Sequence, residues 1–251
     1  MPARRTPLTS AALALLAVGA LAGCGGHGDG TAADGKPPTA AANVSPDGGH
    51  AQAERLPQRL PGVGPRTTAH IPADAQQVVL VTGHDEHSPH STAVLYQRTA
   101  DGWQAGASWP AHNALDGWTT DHYEGDLHSP EGVFTLTDAG GLLANPGTKL
   151  PYTHSYGFTA TGAGFEGEPL AGAFNYVVAI NYNHVPGTSP LSTERPMGAS
   201  RGGGIWIHVD HGGPTHGCVS LTQDHMKELL RALDPARHPV IVMGDVSWLA
   251  Q

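Results

Sequence analysis

The sequence predicts a mainly β domain carrying one amphipathic helix near its C-terminal end. Three observations carry this expectation. Short β-branched runs recur between Val78 and Met243, loops rich in Gly and Pro separate them, and a single stretch shows helical spacing of apolar residues. The run Gln76–Thr82 is short and β-branched and is read as the first strand. Residues 92–98 alternate and end at Asp101-Gly102, which predicts a second strand followed by a turn. Residues 132–137, 174–182, 204–209 and 239–243 are read as further strands, the second of these the longest. The helix is expected to start at Ser220, because Ser220-Leu-Thr-Gln223 fits a capping box. Met226, Leu229, Leu230 and Leu233 then recur at i, i+3, i+4 and i+7, and Asp234-Pro235 ends the run.

Upstream of this pattern the composition changes. Arg4-Arg5 and the apolar run Ala11–Leu21 have the form of a signal peptide, since eleven apolar residues are too few to span a bilayer. Leu21-Ala22-Gly23-Cys24 resembles the bacterial lipobox, so Cys24 is expected to be lipidated and to become the first residue of the exported chain. Two acyl chains give stable membrane anchoring where one is marginal. The stretch that follows is Gly, Ala, Pro, Asp and Thr with almost no large apolar residue, and reads as a flexible tether. The expected organisation is therefore a signal peptide at 1–23, a lipidated cysteine and linker at 24–75, and a catalytic domain at 76–251. The expected location is the outer face of the cytoplasmic membrane or the cell wall, with the membrane contacted through lipid and the protein acting as a monomer. The formal charge is −9 and becomes −11 when Arg4 and Arg5 leave. With no basic stripe and interleaved aromatics, nucleic acid is excluded as a partner.

The chemistry concentrates around Cys218, the one cysteine that the lipobox does not claim. It lies in a glycine-rich turn with His208, His211 and His216 nearby. In Ile205-Trp206-Ile207-His208-Val209, strand alternation puts the three aliphatic residues on the core face and Trp206 and His208 on the other. A reversal at Gly212-Gly213-Pro214 can bring Cys218 back towards His208, as a thiol nucleophile and its base require. His216 is the second choice for that base. His211 reads as a solvated loop residue. The N–H groups of Gly217 and Cys218 could bind an oxyanion, the Val209 carbonyl could orient the imidazole, and a helix N-terminus soon after Cys218 would favour the thiolate.

Thr215-His216-Gly217-Cys218 resembles the [S/T]-H-G-C core of the YkuD-type L,D-transpeptidases, with His208 in the place of their upstream histidine. Residues 195–205 and the stretch Gly125-Asp126-Leu-His-Ser129-Pro130-Glu-Gly132-Val-Phe134 resemble two further glycine-rich segments of that group. The resemblance covers about Gln76 to the C-terminus. It implies a mixed β-sandwich, no cofactor, and a cysteine acyl-enzyme. The implied substrates are peptidoglycan stem peptides: Cys218 would attack a tetrapeptide stem, release D-Ala, and pass the acyl group to a neighbouring stem as a 3→3 cross-link, or to water. It also implies substrate contacts for Thr215, Trp206, Arg201 and Ser220. Ser220 stands where many members carry Arg or Asn, and the His208–Cys218 loop is shorter than in many of them.

Other uses of the same residues are a zinc site built from His208, His211, His216 and Cys218, a wall-peptide-binding lipoprotein without catalysis, and an inert buried thiol. The cluster His84-Asp85-Glu86-His87 with His90 reads as a solvated turn.

Overall fold

The computed structural model describes residues 55–251; the predicted signal peptide, Cys24 and the start of the linker lie outside the described residues. The chain runs through α1 (Pro65–Thr68), β1 (Gln77–Gly83), β2 (His90–Thr99), β3 (Gly102–His112), β4 (Trp118–Thr119), β5 (Ser129–Pro130), β6 (Gly132–Thr135), β7 (Ala139–Gly141) and β8 (Tyr152–His154). It continues through β9 (Val177–Ala179), β10 (Trp206–Val209), β11 (Val219–Leu221), α2 (Gln223–Ala232), β12 (Val240–Asp245) and α3 (Val246–Leu249). Ten of these strands form one curled sheet in the order β6-β12-β1-β2-β3-β11-β10-β9-β7-β8, and β4 and β5 make a small parallel pair. The mainly β class is as the sequence predicts, and the two layers of the expected sandwich are parts of this one curled sheet.

Strand β1 shows why the sheet curls around two cores. Alternate side chains of a strand face opposite sides, and both sides of β1 are covered. Val79 and Val81 join the larger core with Ile241, Met243 and the apolar face of α2. Val78 and Leu80 join a second core with Val240, Val242, Leu60, Val63 and Leu249. The folded unit therefore begins before Gln76. Leu60, Val63 and Ala75 are buried and α1 is hydrogen-bonded to the last residues of the chain, so residues 55–75 belong to the domain and not to the predicted tether.

Helix α2 forms where its apolar spacing predicts, and Met226, Leu229 and Leu230 are fully buried. Each such side chain stabilises the fold by about 1.5–3 kcal/mol relative to exposure. The cap is different from the one expected. Thr222 accepts from the His225 N–H, while Ser220 lies inside β11. The helix thus starts a strand later, and Thr222 is about 13 Å of extended chain from Cys218. Its N-terminal dipole is too far along to bias the thiol. The strand expected over 174–182 is paired only at Val177–Ala179, and β3, which pairs with β2 along most of its length, was not visible as an apolar pattern.

The part of the sheet that matters for function is the pair β10–β11. These neighbours are parallel, with Ile207 opposite Val219 and His208 opposite Ser220. A parallel partner must start at the same end as its neighbour. The loop 210–218 therefore carries the chain back along the whole of β10 and delivers Cys218 beside Trp206.

Candidate active site

Cys218 stands at the edge of a cavity of about 350 Å³ whose lining includes His208, His211, Thr215, His216, Cys218 and Phe174. The sequence-predicted nucleophile and both candidate bases are thus brought together. The strand phase is also as expected: Ile205, Ile207 and Val209 belong to the larger core, while His208 and Trp206 meet Phe174 edge-on at ring distances of 5.4 and 5.1 Å.

The return of the loop goes two residues further than a direct Cys218–His208 pairing needs. Cys218 Sγ accepts from the Trp206 N–H at 3.4 Å and donates to the Gly204 carbonyl at 3.6 Å. The thiol makes no hydrogen bond to either histidine. Desolvation pushes the thiol up to about 11, and the Trp206 N–H only partly offsets this. The resting nucleophile is a protonated thiol. His208 is likewise neutral: burial pulls its imidazole down to about 4, against the opposing effect of its bond to the Val209 carbonyl. That bond, Nδ1 to Val209 O at 2.9 Å, fixes the ring as the sequence suggested and leaves Nε2 as the nitrogen free to take a proton.

The turn that holds Cys218 is fastened from below. Thr215 Oγ1 donates to the Cys218 carbonyl at 2.7 Å, and Ser129 Oγ donates to the Gly217 carbonyl at 2.9 Å. Across a trans peptide the C=O and the following N–H point opposite ways. Ser129 therefore aims the Cys218 N–H away from itself, and among the described residues no acceptor is found for the Gly217 or Cys218 N–H in the loop's hydrogen bonds. A Cβ at Gly217 would lie 2.9 Å from Ile205 Cδ1, so the end of that side chain would have to shift. Ser129 belongs to the Gly125–Phe134 stretch singled out in the sequence. Its role in bracing the cysteine turn, 88 residues along the chain, has no local signature.

Several expected contacts are made elsewhere. Ser220 is fully buried and its hydroxyl donates to Asp210 Oδ1 at 3.0 Å, so it cannot touch a substrate. Arg201 is ion-paired with Asp121 at 2.7 Å. The Thr215 hydroxyl is committed to the turn. Trp206 packs its ring between Phe158 and Phe174 and offers its backbone N–H to the thiol. His216 is exposed, lines the cavity and lies 4.5 Å from the Phe165 ring. His211 is not a solvated loop residue. Its ring stacks on His208 at 5.7 Å and 12°, and its Nδ1 faces Glu168 Oε1 at 3.0 Å. Cys218 is a free thiol, and among the described residues no group of three or more His, Cys, Asp and Glu is placed to hold a metal ion, which removes the geometric support for a zinc site.

Residues 88–242 match the family model of the YkuD L,D-transpeptidase catalytic domain. The chain belongs to this family. Among solved structures, it is similar to Bd1075 of Bdellovibrio bacteriovorus, at 16% identity and a TM-score of 0.39 over 73% of this chain and 52% of that one. It is also similar to Pgp2 of Campylobacter jejuni, described as a helical cell shape determining protein, at 16% identity and a TM-score of 0.38 over 66% and 46% of the two chains. The chain thus spans about half the length of these solved structures. A search of the curated proteins returned no match. Within the YkuD family match lie Ser129, His208 and the whole Cys218 turn. The family's thiol motif is thereby seated on the parallel pair β10–β11.

Proposed function

We propose that this YkuD-family domain is a peptidoglycan L,D-transpeptidase that works through a thioester on Cys218. The observation that carries the reading is the shared cavity of Cys218 and His208, one a neutral thiol and the other a neutral imidazole with a free Nε2. A neutral pair is the correct starting state for general-base attack. On arrival of a tetrapeptide stem, the thiol proton passes to His208, sulfur bonds to the carbonyl carbon of residue three, and the oxyanion is met by the Gly217 and Cys218 N–H groups. His208 then gives its proton to the departing D-Ala amine, leaving the thioester. A neighbouring stem amine resolves it as a 3→3 cross-link, and water resolves it as carboxypeptidase activity. The apo separation of thiol and imidazole requires a small rearrangement as the substrate binds, which is common for catalytic hydrogen bonds.

The same reading places the domain outside the cytoplasmic membrane, held by lipid on Cys24. The support for this is the h-region and lipobox of the sequence. The decisive experiment on the chemistry is Cys218→Ala with a tetrapeptide stem. Release of D-Ala should vanish, and meropenem should add its mass to the wild type but not to the variant. Undiminished release by the variant would remove Cys218 from the mechanism. An intact fold that binds stems with no acyl adduct would instead mark a binding protein.

A further inference from the structure

The cavity contains two histidines that the scheme above does not use, His211 and His216, and only His211 has a carboxylate partner. His211 lines the same cavity as Cys218 and His208, and its ring stacks on that of His208 at 5.7 Å and 12°. His211 and Glu168 are nearly closed off from solvent, with side chains 6% and 11% exposed. Glu168 is built into its place. Its other oxygen accepts from the Glu166 N–H at 2.8 Å, and a Cβ on either Gly164 or Gly213 would run into its carboxyl group. Backbone N–H groups, with help from His211, hold that carboxyl below its ordinary value, so it is an ionised acceptor. An ionised carboxylate on Nδ1 fixes the proton there and leaves Nε2 as the basic nitrogen. Among the described residues, Nε2 of His211 has no hydrogen-bond partner, and it is not sealed from the cavity.

Resting on the transpeptidase reading, we infer that His211, oriented by Glu168, is the general base for the acceptor amine, while His208 serves the thiol. In the second half-reaction the neutral acceptor amine attacks the thioester carbon. A C–N bond forms, His211 Nε2 takes one proton from the attacking nitrogen, and the C–S bond breaks. Sulfur leaves as thiolate and recovers the proton from the His211 imidazolium through solvent. Atoms and charge balance: thioester and amine become amide and thiol.

The test uses the whole chain with a tetrapeptide donor, an amine-bearing stem as acceptor, and the variants His211→Gln and Glu168→Gln. Single-turnover D-Ala release reports acylation, intact mass reports the thioester, and cross-linked product reports resolution. Both variants should acylate within a few-fold of wild type, accumulate thioester, and form product roughly 10²-fold more slowly. Hydroxylamine, which is unprotonated at neutral pH, needs no base and should clear the accumulated thioester at the wild-type rate. A purely structural role of the pair would instead lower acylation along with resolution. Equal loss of acylation and resolution, or normal product formation by His211→Gln, would overturn the inference. A wild type that never forms a thioester would instead overturn the transpeptidase reading beneath it.

Discussion

Two cavities meet the β10–β11 pair, and each holds a histidine that behaves in the opposite way. In the cavity of about 350 Å³, His208 bonds a backbone carbonyl and burial drives its proton off. In a second cavity of about 410 Å³, lined by His84, His90, Ser91, His112 and Asp210, the His112 Nδ1 faces Asp210 at 2.9 Å. Its imidazole is raised, chiefly by that hydrogen bond. Burial alone would raise Asp210, but His112, Gly212 and Ser220 bring it down to about 2. One histidine is kept neutral beside a thiol; the other is raised by its bond to Asp210, a contact that braces the loop leaving β10. Histidine density therefore does not mark chemistry here. The partner of each ring and the cavity it faces decide together: His208, bonded to a backbone carbonyl, shares a cavity with the thiol, and His112, bonded to Asp210, does not.

This contrast can be broken by experiment. The largest effect should come from His208→Gln, which is expected to slow acylation by Cys218 roughly 10²- to 10⁴-fold while leaving the melting temperature near wild type at pH 7; single-turnover D-Ala release measures it. His112→Gln should change that rate less than tenfold, and a comparable loss in both variants would dissolve the distinction.

The next effect is a pH signature. His208 is depressed from 6.5 to about 4, so its proton linkage costs nothing above pH 6.5 and removes stability as pH falls from 6.5 through 4, up to about 3 kcal/mol. His112 is raised, so its contribution has the reverse sign: full below pH 6.5 and lost as pH rises through its folded value. Denaturant titrations between pH 7 and 4 should show a shallower acid loss in His208→Gln and a steeper one in His112→Gln. Parallel curves would contradict the assignment.

The smallest effect should be that of Asp210→Ala, which leaves Ser220 without its acceptor and costs about 1–3 kcal/mol. That lowers the melting temperature by several degrees, with thermal melts as the measure and acylation largely retained.

How much of this could be read from the sequence depended on whether a signal is local. Ile205–Val209 declared its two faces because alternation is local, and the helix declared its apolar stripe for the same reason. Strand β3 did not, since Gly, Ala and Pro fill much of Gly102–His112 and its pairing with β2 makes it a strand. Ser220 and Thr222 are both good caps two residues apart, and only the pairing of β11 with β10 decides between them. Glu168 could not have been found, because a carboxylate in a glycine-rich loop says nothing about a histidine 43 residues away. The Cys218 contacts followed the same rule: the motif named the residue, and the parallel register chose its neighbours.

The seam at the start of the domain has a mechanical consequence. The Gly64 N–H bonds the Leu249 carbonyl, and the Arg66 and Thr67 N–H groups bond that of Gln251. Both run beside β1 and β12, and β10 lies four strand spacings from β1, about 20 Å along the sheet. A load passed between residues 64–67 and the last residues of the chain crosses this seam directly, so the strands that carry Cys218 and His208 lie outside that path.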